Sequence, residues 1–173
     1  IGQATAGSAL VKTGPGTLEL GGTAVNTYSG TTTISAGTLV LNKTAGGAAM
    51  PYTTAVIVGD NDGGSAADQL VYGPSANADQ IPNVNVTVNR SGRLDAAGRA
   101  DTVSATLTIL DGSFVTNGTG NYTVNGLVMA GGSLATSGGS TFILNGNMTY
   151  NSGAQSVISG LLSMNNGDRN FYV

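Results

Sequence analysis

The chain has no cysteine and no histidine. Disulfide staples, metal centres built on those ligands, cysteine nucleophiles and histidine general bases are therefore excluded within it. Tryptophan is absent too, and six Tyr and three Phe leave few large rings to fill a thick core. Proline occurs only four times. Glycine is abundant at 28 of 173 residues, but it does not recur at every third position, which excludes a collagen helix. Charge is scarce: six basic and nine acidic side chains give a net charge of −3. The basic residues are spread out, so the electrostatic footprint of a nucleic-acid binder is missing. No apolar run reaches the length of a membrane-spanning helix, and no signal peptide opens the chain, which starts at Ile1 rather than Met. That start, and the apolar Phe171-Tyr172-Val173 at the other end, lead us to expect a piece of a longer protein.

What is present is rhythm. Gly16-Thr17-Leu18-Glu19-Leu20 returns 21 residues later as Gly37-Thr38-Leu39-Val40-Leu41, each a glycine followed by strand-like alternation. The same glycine phase recurs at Gly92, Gly112, Gly132 and Gly153, at spacings of 20, 20 and 21. Counted from the phase glycine, position +2 holds Leu18, Leu39, Leu94, Phe114, Leu134 and Gln155. Position −5 holds Val11, Thr32, Thr87, Leu107, Leu127 and Met148, and position −3 holds Thr13, Ile34, Asn89, Ile109, Met129 and Tyr150. A strand-based period near 20 means stacked coils, in which equivalent residues lie about 4.8 Å apart and form internal columns. We therefore expect an all-β chain folded as a right-handed parallel β-helix of about 20–21 residues per coil. An antiparallel sandwich also has many short strands, but does not require one residue class every 20 positions.

The phase is lost between Gly37 and Gly92. Within residues 44–80 we expect an irregular insertion or loop-bearing coils, with a strand at Ala55 to Val58 and a short helix conceivable at Ser65 to Gln69. The whole chain, 1–173, reads as a single β-helix segment.

The first 45 residues carry specific lettering. Lys12-Thr13-Gly14-Pro15-Gly16-Thr17-Leu18, then Asn26-Thr27-Tyr28-Ser29-Gly30, then Ala36-Gly37-Thr38-Leu39 closely resembles the autotransporter-associated β-strand repeat, also called the passenger-associated transport repeat. The resemblance covers Leu10 to about Asn42, and the remaining coils are similar in style only. It implies a right-handed β-helix in the exported passenger of a bacterial autotransporter or giant adhesin-like surface protein. It further implies a secreted or outer-surface location, help in secretion-coupled folding, and no enzyme activity. The structural repeat residues are then Gly16, Leu18, Leu20, Tyr28, Gly37, Leu39, Leu41, Leu94, Phe114 and Leu134, with Tyr28 packing at a corner.

Sites with chemistry are few. Asp60, Asp62 and Asp68 supply hard oxygen ligands near a glycine turn, suited to weak calcium binding, although they lack EF-hand spacing and a solvated loop is the competing reading. No other cofactor is expected. Arg90, Arg93, Asp95, Arg99, Asp101 and Asp111 are the best charged cluster for a polysaccharide-degrading β-helix enzyme, with Arg93 placed to pair with Asp111. Tyr28, Tyr52, Tyr72, Tyr122 and Phe171 are candidate stacking platforms for a carbohydrate-binding module, of which Tyr28 better suits packing at a corner and Tyr52 and Tyr72, flanking the irregular region, better suit an exposed face. Six Asn-x-Ser/Thr sequons, at Asn42, Asn85, Asn89, Asn117, Asn121 and Asn147, follow from composition and are assigned no glycans. The expected partners are adjacent coils and, at exposed loops, a host, cell-surface or carbohydrate ligand, with no nucleic acid and no membrane embedding.

Overall fold

A computed structural model describes residues 1–2, 6–44, 48–151 and 154–173. Among the described residues every regular element is a strand, as the β-branched runs between turn residues require. The first coils give β1 (Leu10–Lys12), β2 (Thr17–Gly22), β3 (Thr32–Ile34), β4 (Gly37–Lys43), β5 (Val56–Val58) and β6 (Asp68–Tyr72). The middle of the chain gives β7 (Val86–Val88), β8 (Gly92–Asp95), β9 (Asp101–Leu110), β10 (Ser113–Asn117), β11 (Tyr122–Ala130) and β12 (Ser133–Ser137). Last come β13 (Thr141–Leu144), β14 (Met148–Tyr150), β15 (Val157–Ser159), β16 (Leu161–Ser163) and β17 (Phe171–Tyr172).

All pairings are parallel and join each strand to its counterpart one coil away. One sheet, hereafter sheet B, stacks β2, β4, β6, β8, β10, β12 and β15 in chain order. The other, sheet A, stacks β1, β3, β5, β7, β9 and β11. Beyond that point sheet A divides, because β9 and β11 are long enough to turn a corner. Their first halves lead to β13 and β16, and their second halves lead to β14 and β17. A register shift between Val124 and Gly126 marks the corner, where a bulge bends the strand. The result is a β-solenoid of about eight turns at about 21 residues per coil.

The core is a set of columns. In sheet B, Leu18, Leu39, Leu70, Leu94, Phe114, Leu134 and Ile158 are partners in register. In sheet A, Leu10, Thr32, Val56, Val86, Leu107, Leu127 and Met148 form one inward column. The edge-to-face pair of Phe114 and Phe142, with centroids 5.3 Å apart, lies across the middle coils. Side chains from only two or three faces meet here, so a core without tryptophan is filled.

The register corrects the sequence phase in three places. Val86 and Val88, not Thr87 and Asn89, stand opposite Leu107 and Ile109. Leu10 and Lys12, not Val11 and Thr13, stand opposite Thr32 and Ile34. In both cases the corner before the phase glycine holds one residue more than in later coils, and a one-residue slip exchanges inner and outer faces. In the last coil Leu134 pairs with Ile158, 24 residues on, so Gln155 is not in the column. Gly153, the expected phase glycine there, lies outside the described residues.

The described residues of the stretch 44–80 continue the stack. β5 pairs with β3 and β7, and β6 pairs with β4 and β8. Coil length grows, with Leu39 and Leu70 31 residues apart, and the surplus lies in turns. Asp68 occupies the phase-glycine position between Gly37 and Gly92. Residues 68–69, considered above for a helix, begin β6, because the backbone of Asp68 pairs with coils on both sides.

Where a strand is missing on the third face, Asn and Asp side chains replace its carbonyls. Asp79 Oδ1 accepts from Thr102 N at 3.0 Å, Asn83 Oδ1 from Ser104 N at 2.8 Å and Asn85 Oδ1 from Thr106 N at 3.2 Å. These three amides would otherwise line an open edge of β9.

Candidate functional site

The motif-bearing coils form a framework whose polar side chains point inward. Lys12 is only 6% exposed, and its Nζ donates to the carbonyls of Thr13 at 3.1 Å, Gly14 at 2.7 Å and Ala36 at 2.9 Å. All three ammonium donors are used, and they tie one corner to the corner of the next coil. Asn26 is buried and its Nδ2 donates to Ala49 O. The buried Tyr28 hydroxyl meets Thr32 Oγ1 at 3.1 Å, which in turn meets Thr53 Oγ1 of the next coil at 3.0 Å. Thr53 Oγ1 donates to Gly30 O at 2.7 Å. Burial raises the Tyr28 pKa above the ordinary phenol range, opposed by its contact with Thr32. Lys43, 5% exposed, repeats the device one coil later: its Nζ donates to Gly21 O and Ala24 O, and its backbone is bracketed by the Gln80 amide. The inward direction of Lys12 and Lys43 was missed in the sequence reading. The one signal available was the corner length that sets the phase of β1.

Asp60, Asp62 and Asp68 do gather at one cleft of about 320 Å³, with Pro15, Ser35 and Gly37. Their oxygens serve the turn itself. Asp60 Oδ1 accepts from Asp62 N at 2.9 Å, Asp62 Oδ1 from Gly63 N at 2.8 Å and Asp68 Oδ2 from Asp60 N at 3.3 Å. Among the described residues no group of three or more acidic side chains is placed to hold a metal ion.

The charged cluster does not converge. Arg93 pairs with Asp95 on its own strand at 2.7 Å, not with Asp111, because side chains two apart in a strand share a face. Arg90 and Arg99 donate to the backbone carbonyls of Asn61 and Pro74. Asp101 is inside the solenoid, 1% exposed, at the foot of an inward column with Tyr122 and Phe142. Tyr72 and Tyr122 are likewise core residues, 2% and 0% exposed, and cannot be stacking platforms. Tyr52 and Phe171 are exposed.

Asp101 and the two tyrosines form a buried ionisable cluster inside the solenoid. Asp101 Oδ2 accepts from the Tyr72 hydroxyl and from Ile81 N at 3.1 Å. Among the described residues neither Asp101 Oδ1 nor the Tyr122 hydroxyl has a partner within hydrogen-bond geometry. Burial pushes the Asp101 carboxyl up to about 6, against the pull of the Tyr72 hydroxyl and the Ile81 amide. Both phenols are raised by burial first and then by the charge of Asp101.

Comparison with curated proteins and with solved structures gives no match. Comparison with family models gives one: residues 10–41 match the passenger-associated-transport-repeat. The matched stretch begins at β1, ends within β4, and contains Lys12, Asn26, Tyr28, Gly30 and Gly37. The chain is thus a parallel β-solenoid that carries a passenger-associated transport repeat over residues 10–41.

Proposed function

We propose that this chain is a structural passenger segment of an exported bacterial surface protein, built to fold coil upon coil outside the cell and to display its turns. One observation carries the reading: the family-matched coils are joined to their successors by backbone pairing in both sheets and by inward polar side chains that reach across coils. A coil of this kind offers a template edge to the next, so folding can propagate along the chain as it emerges. The function is non-catalytic, since the charged residues that a β-helix enzyme would gather in one groove are dispersed, paired or buried. The loops around Asp60 to Gly64 and around Tyr52 are its display elements, and they take no cofactor.

The test is export. The chain is placed between a secretion signal and an outer-membrane β-barrel translocator, and its protease accessibility on intact cells is measured. Lys12→Met and Gly37→Ala, which weaken coil-to-coil contact, should each lower surface display severalfold, while Gly64→Ala on an open turn should not. Equal display of all variants would overturn the secretion-coupled role.

A further inference from the structure

Residues 81–85 cross the third face of the solenoid as a strap, between Gln80 and the start of β7, without forming a strand. Gln80 anchors one end. Its Oε1 accepts from Lys43 N at 3.0 Å, its Nε2 donates to Lys43 O, and its carbonyl accepts from Ala49 N at 3.0 Å. The other end is anchored by β7, which is paired on both sides. Between the anchors the strap touches β9 lightly. Asn83 and Asn85 lend side-chain oxygens to Ser104 N and Thr106 N. The main-chain amide of Ile81 donates to the Asp101 carboxylate instead of to a strand carbonyl, and Pro82 has no amide to offer. An open cleft of about 410 Å³, lined by Asp79, Ile81, Pro82, Asn83, Thr102 and Ser104, lies between strap and strand.

The group that latches the strap is badly placed for a charge. Asp101 Oδ2 serves Tyr72 and Ile81, but Oδ1 has no partner among the described residues. Around it β6 presents Tyr72, β11 presents Tyr122, and the turn before the strap presents Asp79, whose charge has the same sign. From β13 comes the apolar Phe142. Among the described residues no cation pairs with Asp101. Arg99 donates to Pro74 O, and Lys43 turns its Nζ to Gly21 O and Ala24 O. A proton on Oδ1 turns an orphan acceptor into a donor. The Tyr122 hydroxyl, next in the same inward column and equally without a partner, is then an acceptor for it.

Two effects of ionisation oppose each other. It strengthens the bonds from Tyr72 and Ile81, and it leaves a buried charge short of solvent. Burial wins, since it holds the carboxyl at about 6 in the closed fold, against about 4 for a hydrated one. Raising the pH therefore favours any state that lets water reach Asp101. Ile81, 1% exposed, is the strap residue that covers it.

We propose that residues 81–85 are a pH-operated strap, closed over β9 while Asp101 holds a proton and lifting at Ile81 far more readily once Asp101 is ionised. Gln80 and β7 stay in place as the two ends of the motion, and lifting bares the Ser104 and Thr106 amides on the edge of β9. The device belongs to the fold and does not rest on the export reading.

Amide hydrogen exchange followed by NMR and corrected for intrinsic rates tests this on Ile81, Ser104 and Thr106. Their opening constant should rise by up to about 100-fold between about pH 4 and about pH 6.5, then level off. The chain has no histidine, so no ordinary side chain supplies a competing transition near pH 6. The rise should be the same in about 1 M urea, because a local lift exposes little surface, whereas global unfolding responds to urea. Asp101→Asn should abolish it. In case that variant folds poorly, Asp79→Asn keeps an oxygen for Thr102 N and removes the like charge, and it should move the midpoint to lower pH. No pH dependence in the wild type would overturn the proposal. So would a rise that survives Asp101→Asn, a midpoint that Asp79→Asn leaves in place, or exchange of the three amides that follows urea as the β10 amides do.

Discussion

Single side chains in this solenoid divide into those that hold coils together and one that strains against its surroundings. Lys12 is of the first kind. Replacing it with Met keeps its length but leaves three corner carbonyls without their donor. The expected loss is on the order of 3 kcal/mol, read as a lower urea midpoint, since bonds to a charged donor are worth more than neutral ones. Asp101 is of the second kind. Its folded pKa of about 6 lies above the ordinary carboxyl value, so between about pH 4 and pH 6 the unfolded chain binds fewer protons than the folded one. Stability from this group is therefore complete below about pH 4, falls as pH rises through that window, and is level above it. The two-unit difference corresponds to roughly 2–3 kcal/mol. Asp101→Asn removes the ionisation. The variant should gain on the wild type as pH is raised from about 4.5 to about 7.5 in urea denaturation, by about that amount. A constant difference between the two across that range would show that the carboxyl is not the source.

At the scale of strands and corners, what matters is how closely one coil can approach the next. Gly37 has φ of 67°, and a Cβ there would lie 2.5 Å from Gly16 O and 2.6 Å from Gly14 O of the preceding coil. Gly37→Ala should therefore cost at least about 1–2 kcal/mol, because both the backbone conformation and the coil spacing resist it. Gly64→Ala, with nothing near its Cβ position, should stay within about 0.5 kcal/mol of the wild type. Thermal melting of the two variants separates these outcomes, and equal melting would deny the corner its role. The same corners explain what the sequence could reveal. Leu18, Leu39, Leu94, Phe114 and Leu134 fall into one column because sheet B strands follow the phase glycine directly. Sheet A strands lie on the far side of a corner of varying length, so counting back from the glycine put Val11, Thr87 and Asn89 inside when they face outward. Asp68 hid a coil by standing where a glycine was expected. Tyr72 and Tyr122 were legible as aromatic but not as buried, since their direction depends on coils 20 to 31 residues away. The asparagines that take the place of missing strand carbonyls read only as turn residues and sequons.

Across the whole molecule the contacts run between neighbouring coils, so stability is distributed along one dimension. The aromatic group of Tyr72, Tyr122, Phe114 and Phe142, with Phe114 and Tyr122 centroids 4.8 Å apart, couples the coils before β8 to those after β10. The final strands are less well held: Val157, Leu161, Phe171 and Tyr172 are all exposed, so their backbone amides should exchange with deuterium first. Amides of β4, β6, β8 and β10, paired on both sides, should exchange last, through global opening. Phe114→Ala tests whether the aromatic group links the two halves. A buried Phe to Ala change costs about 3–5 kcal/mol, and in a one-dimensional stack such a loss acts at a single interface. Protection in β11 to β16 should then collapse well before protection in β2 to β6, and the variant should melt in two transitions where the wild type is expected to melt in one. If protection instead falls evenly from β2 to β16, the solenoid opens as one unit and the central rings are no more than one layer among equals.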